Sequence, residues 1–145
     1  MSSPDPRAKA PRRPLNLEIA TRAADAAIEH AKSQGFTISV AVVDESGNLV
    51  YFSRGDECGY ITFETAKGKA ALAAGFRMPS KDLQSESASR AAFWASISDK
   101  LGMVITGGGY PLTIDGVVIG GVGCGGGHGD QDETCAQMAA KAVNS

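Results

Sequence analysis

The segment from Gly107 to Gly129 constrains this chain most. Gly107-Gly108-Gly109 precede Tyr110, and seven glycines fall between Gly120 and Gly129. Between these clusters run two apolar stretches, Tyr110 to Ile114 and Val117 to Val122, joined by Asp115-Gly116. Asp-Gly between apolar runs signals a β-hairpin, because both central residues of its tight turn take a positive φ. The segment therefore predicts a hairpin with a glycine loop on each side. The second loop, Gly123 to Gly129, feeds a helix predicted from about 131 to 143. Asp130 and Glu133 stand in capping-box spacing at its start.

Upstream, Leu17, Ala20, Ala24, Ala27, Ile28 and Ala31 recur at helical spacing, which predicts a helix over 16–34 with Asn16 as N-cap. Phe36, Ile38, Val40 and Val42 then alternate as a strand. A turn at Glu45-Ser46-Gly47-Asn48 leads to a return strand over 49–54. The stretch from Tyr60 to Phe76 reads as a helix of small residues, stopped by Pro79, with Ser80 placed to cap one or two short helices over 80–99. Met103-Val104-Ile105 reads as a further short strand. Two hairpins exclude a parallel βαβ unit. The expected fold class is therefore α/β of the α+β kind, a roughly five-stranded antiparallel sheet flanked by helices.

The 145 residues suit one domain, expected over 15–145 after a disordered basic tail over 1–14 that holds Pro4, Pro6, Pro11 and Pro14. A net charge of −2 and the lack of a basic field argue against nucleic acid as a partner. No apolar run approaches the roughly 20 residues that span a bilayer. Cys58, Cys124 and Cys135 are an odd number at wide spacing, which reads as reduced thiols in a cytoplasmic protein. Arg12-Arg13 lacks the apolar stretch that an export signal requires.

Gly121, Gly123 and Gly126 match the spacing of a dinucleotide fingerprint, but only 19 residues follow Gly126, too few for the acidic residue and further strand the motif needs. No Lys-Ser or Lys-Thr follows the glycines, so a P-loop is excluded. What remains is a loop whose backbone N–H groups converge beside a helix N-terminus, a setting that favours a carboxylate or phosphate. A tight connection without a ligand is the alternative.

Gly107–Gly109, Tyr110-Pro111-Leu112, Asp115-Gly116, Ile119-Gly120, Gly123 and Gln131-Asp132-Glu133 together resemble the C-terminal signature of the GlcG/HbpS family of haem-binding-like proteins. Ala41-Val42-Val43-Asp44, Gly47, Arg54-Gly55-Asp56, Lys69-Ala70, Phe76 and Pro79-Ser80 extend the resemblance over about 16–143. It implies an antiparallel sheet flanked by helices and a homo-oligomer. It also implies haem or another tetrapyrrole as ligand, with a link to PduO-type corrinoid adenosyltransferases and to catabolic operons. Where the family commonly has Ser-Gly, this chain reads Cys124-Gly125-Gly126-Gly127-His128.

The candidate residues follow. His30 and His128 are the only histidines and the candidate metal ligands, His30 as an axial haem ligand. Cys124 and His128, four apart, are a candidate thiol–imidazole pair, and Lys69 is an anion ligand or proton donor. Arg54 is placed to clamp a carboxylate. Gly108, Gly109, Tyr110, Gly125, Gly126 and Gly127 are candidate ligand-binding residues. Asp130, Asp132 and Glu133 are capping residues, and metal ligands if a cation is present. Two functions stand: a haem- or tetrapyrrole-binding protein whose ligand carboxylates sit at a glycine loop, or a tautomerase, isomerase or hydrolase acting on a small organic acid.

Overall fold

The alanines that recur at helical spacing form α1 (Leu17–Ser33), and the Asn16 carboxamide accepts from the Ile19 N–H at 2.8 Å to cap it. The computed structural model describes residues 3, 5–8 and 13–145. Residues 1, 2, 4 and 9–12 of the expected tail lie outside the described residues. After α1 come β1 (Ser39–Asp44), β2 (Leu49–Ser53), α2 (Thr62–Phe76), α3 (Ser80–Ser89) and α4 (Ala91–Leu101). They are followed by β3 (Gly109–Ile114), β4 (Val117–Gly125) and α5 (Gly129–Val143).

The sheet has four strands in the order β2-β1-β4-β3, each antiparallel to its neighbour. The two hairpins meet through β1 and β4, with Val40 opposite Cys124 and Val42 opposite Val122. The Asp115-Gly116 turn forms as expected, with φ of 51° and 77°. The expected fifth strand is absent: Met103 and Val104 lie instead over the outer side of α2. A Cβ at Gly68 would overlap the Val104 side chain, and one at Gly75 would meet the Met103 methyl group at 2.9 Å. Leu72, Leu83 and Trp94 close this outer layer, with Phe76, Met103 and Ile105 against them.

One face of the sheet buries Val40, Val42, Leu112, Ile119, Val122 and Cys124 under the alanines of α1 and α5. The other face is covered by α2. There β4 presents Gly121, Gly123 and Gly125, and a Cβ at Gly121 or Gly123 would overlap the carbonyl oxygen of Ala70 or Ala66. The helix rests on bare strand backbone. This corrects the expected boundary of the second glycine loop: Gly123, Cys124 and Gly125 belong to β4, and the loop proper is Gly126-Gly127-His128. No helix among the described residues is long and apolar enough to cross a membrane.

Candidate functional site

The site grows from Lys69. Its place on α2, against the glycine face of β4, buries the side chain to 6% exposure. Nζ donates to the Cys124 carbonyl at 2.9 Å and to Asp132 Oδ2 at 3.0 Å. Asp132 Oδ1 accepts the Gly127 N–H at 2.9 Å. Burial raises the Asp132 carboxyl above its ordinary value, opposed by the Lys69 ammonium and the Gly127 N–H.

The first glycine loop is held the same way. Glu133 Oε2 accepts the Gly108 N–H at 2.7 Å, Ser80 Oγ accepts the Gly109 N–H at 2.8 Å, and Gln84 Oε1 accepts the Gly107 N–H at 3.3 Å. Gly108 carries a φ of 116°, and a Cβ there would stand 3.0 Å from the Asp132 Cβ and 3.2 Å from Lys69 Nζ. Only glycine suits that conformation and space. The two glycine loops are thus drawn together at the start of α5, but the N–H groups of Gly107, Gly108, Gly109, Gly127 and His128 already serve the protein's own acceptors.

Asp132 and Glu133 are therefore not the capping residues expected. The N-cap of α5 is His128, two residues before the expected cap Asp130, and Gln131 Oε1 accepts its N–H at 2.8 Å. Ser80 likewise is the first residue of α3, not its cap, and Pro79 takes the N-cap position.

Glu133 Oε1 is buried and lacks a hydrogen bond, with Lys81 Nζ 3.7 Å away. Tyr110 Oη accepts from Gln137 Nε2 at 2.9 Å, and burial raises the phenol's pKa. A cleft of about 490 Å³ opens here, lined by Lys69, Lys81, Gln84, Thr106, Gly107 and Glu133 among others.

The expected thiol–imidazole pair is not brought together. Cys124 points from β4 into the α1/α5 core, fully buried, and burial raises its thiol well above the ordinary value. His128 is exposed at the helix cap. The physical reason is the strand's period of two: glycines face α2, so the residues between them face the opposite core. Gly125 packs on Thr65, and Gly126, with a φ of 100°, packs on the Cys58 sulfur.

His30 lies elsewhere. It sits half-buried in the last turn of α1 and lines a second cleft of about 370 Å³ with Gln34, Phe36 and Thr134. Phe36 also lines an adjoining cleft of about 210 Å³ that holds Ile28, Ile38, Lys32 and Arg54. Arg54 is exposed just beyond β2. Among the described residues, no three His, Cys, Asp or Glu side chains form a metal-holding group.

Sequence reasoning passed over Lys81, Ser80, Gln84 and Phe36, and underread Asp132 and Glu133. The available signal was Lys69 itself, since a lysine inside a small-residue helix needs a buried counter-charge.

A family model described as haem-degrading protein HbpS-like matches residues 15–141. The chain belongs to the HbpS-like family. It is 34% identical over 120 residues to the corrinoid adenosyltransferase PduO of Salmonella typhimurium, a match covering 82% of this chain and 36% of PduO. The HbpS-like chain thus spans about a third of the length of that curated relative. It is 33% identical over 110 residues to the protein GlcG of Escherichia coli K12, covering 75% of this chain and 79% of GlcG. Its fold matches a double mutant of Streptomyces reticuli HbpS with a TM-score of 0.83 at 32% identity, over 100% of this chain and 97% of that one. It matches PduOC in a structure described as a haem complex with a TM-score of 0.80 at 30% identity, over 90% of this chain and 95% of that one.

Proposed function

We propose that this HbpS-like chain binds haem or a closely related tetrapyrrole, in the groove that runs along both sides of Phe36. The observation that carries the reading is a half-buried imidazole, His30, sharing a cleft with an aromatic ring in a fold that matches PduOC, described as a haem complex. The residues fit the group. The His30 imidazole would hold the iron, and Ile28, Phe36 and Ile38 would supply apolar surface for the macrocycle. Lys32 and Arg54 supply two cations for two propionates. Carboxylates held at the glycine loops were the sequence-based expectation; in this reading the two cations take that role, because the glycine N–H groups are engaged. Bound haem supplies an iron centre, and the chain supplies its orientation and a partly water-shielded face.

Two further properties belong to this reading. The chain acts as a homo-oligomer, supported by the exposed Tyr60 and Ile61 beside the apolar cleft of Phe52 and Phe63. It works in the cytoplasm, supported by three unpaired cysteines.

The test is titration of the full chain with haem, followed by absorbance. A Soret shift that saturates near one haem per chain is expected. It should be lost or moved in His30→Ala and kept in His128→Ala and Tyr110→Phe. No spectral change at stoichiometric haem overturns the proposal, and an unchanged spectrum in His30→Ala removes His30 as the ligand. Native mass spectrometry of the same sample reads subunit count and retained ligand together.

A further inference from the structure

The cleft between α3 and the start of α5 holds a polar set that the Phe36 groove does not use. Lys69 lines it and directs two of its three ammonium hydrogens at Cys124 O and Asp132 Oδ2. The third has no partner among the described residues. Glu133 has the complementary need. Its Oε2 is taken by the Gly108 N–H, while Oε1 is buried without a hydrogen bond. Lys81 Nζ, at 3.7 Å, stands beyond hydrogen-bond reach of that oxygen and reaches it as a charge only. A buried acceptor left without a donor is unfavourable, so a molecule that brings an O–H to it gains on binding.

The cleft therefore shows a buried acceptor without a hydrogen bond, with the Tyr110 hydroxyl and the Lys81 ammonium beside it, and two ammonium groups with hydrogens to offer. The start of α5, where Gly129 and Asp130 line the same cleft, adds the positive end of a helix dipole. Against the two lysines the lining carries three carboxylates, Asp130, Asp132 and Glu133, so the cleft admits one carboxylate placed directly at the ammonium groups and no second anionic group. A volume of about 490 Å³ suits a molecule of a few heavy atoms with room for water.

We propose that this cleft binds a small 2-hydroxycarboxylate with a single carboxylate group. The carboxylate lies against the Lys69 and Lys81 ammonium groups, and the 2-hydroxyl donates to Glu133 Oε1. This site meets the His30 cleft at Asp130, which lines both, but the proposal does not rest on the haem reading.

Calorimetry on the full chain tests it with three probes: lactate, propionate (which lacks the hydroxyl) and propane-1,2-diol (which lacks the carboxylate). Lactate is expected to bind about tenfold tighter than propionate, the effect of one hydrogen bond to a charged group, and tighter than the diol, which loses the contacts to both ammonium groups. Equal affinity for lactate and propionate, or no lactate binding by heat and by NMR shift, overturns the proposal. Glu133→Gln offers an amide donor where the hydroxyl needs an acceptor, so the preference for lactate over propionate should collapse. The Lys81 side chain is half exposed, so Lys81→Met should fold. It is expected to weaken both acids by about tenfold while leaving their ratio unchanged. Undiminished binding of both acids in Lys81→Met overturns the assignment even if Glu133→Gln fails to fold. His30→Ala should leave lactate binding intact; its loss there would overturn the separation of the two sites, whatever haem does.

Discussion

Gly121 and Gly123 of β4 and Gly107 and Gly108 before β3 differ in what occupies the space a side chain would take. Along β4 that space is filled by the backbone of α2, at Ala66 and Ala70. Around Gly107 and Gly108 it is filled mainly by side chains, those of Glu133, Lys81, Asp132 and Lys69, beside the Cys124 carbonyl. The first region is a packing surface that brings a helix close to a strand. The second is a polar junction whose N–H groups are tied to side chains of α3 and α5, Gly107 to Gln84 and Gly108 to Glu133. The difference teaches that glycine density marks close approach, while what approaches decides between structure and site.

Four experiments break or sharpen this contrast. The largest effect is expected from Lys69→Met, which links the two regions. Losing the ammonium leaves the Asp132 carboxylate buried and half-satisfied, at a cost of about 3–5 kcal/mol in urea unfolding. Adding Asp132→Asn should recover part of the loss, since the amide oxygen still accepts the Gly127 N–H; a double variant no more stable than Lys69→Met would mean that the lysine acts by packing alone.

Gly123→Ala comes next. Its methyl group would overlap the Ala66 carbonyl and push α2 off the sheet, a loss of about 3 kcal/mol. Gly107→Ala faces only the end of the Glu133 side chain, at 3.1 Å, and the Lys81 Cβ, at 3.6 Å. It is expected to lose less than about 1 kcal/mol. Equal losses at the two positions would erase the distinction between the regions.

Thiol chemistry gives a smaller, qualitative reading. Cys124 is fully buried, and burial pushes the Cys135 thiol up to about 11. Iodoacetamide should label only the half-buried Cys58 in the folded protein, with Cys124 and Cys135 labelled after denaturation. Rapid labelling of Cys124 in the folded protein would place it back in an accessible loop.

The smallest effect concerns pH. Folding raises the Asp132 carboxyl above 3.8, burial being the main cause. The folded chain then holds this proton more tightly than the unfolded chain. The group's contribution to stability accordingly improves as pH falls through the folded value toward 3.8 and is unfavourable above it. The urea midpoint of the natural chain, compared with Asp132→Asn, should rise between about pH 7 and pH 4. A fall would show that Lys69, rather than burial, governs the carboxyl.

Much of the fold was legible because local signals and tertiary packing agree. Asn16 and the alanine spacing mark α1, the alternation after Phe36 marks β1, and Asp115-Gly116 marks the second hairpin. The end of β4 was obscured because glycine suggests a loop. Yet Gly121-Val122-Gly123-Cys124-Gly125 alternates with a period of two, which is itself a strand pattern with one empty face. The extra strand at Met103 to Ile105 is an apolar run that found its partner in α2, because Gly68 and Gly75 leave space there. At the site, Lys69 was legible as a lysine among small residues. Asp132 and Glu133 were masked by their position at a helix start, where acidic residues ordinarily serve the dipole. His30 was legible as a lone imidazole, but Phe36 beside it was read only as a strand residue.

The bare glycine face of β4 has a mechanical consequence. Side chains give an interface its small adjustments, through rotamers that trade places within picoseconds to nanoseconds. Where backbone meets backbone there is nothing to adjust, so α2 is seated as a rod and moves as one or not at all. Amide exchange along β4 and the buried side of α2 should therefore proceed in a single cooperative opening rather than by fraying residue by residue. Lys69, fixed on that rod, is held in reach of the Cys124 carbonyl by the seating of the helix as well as by its pairing with Asp132.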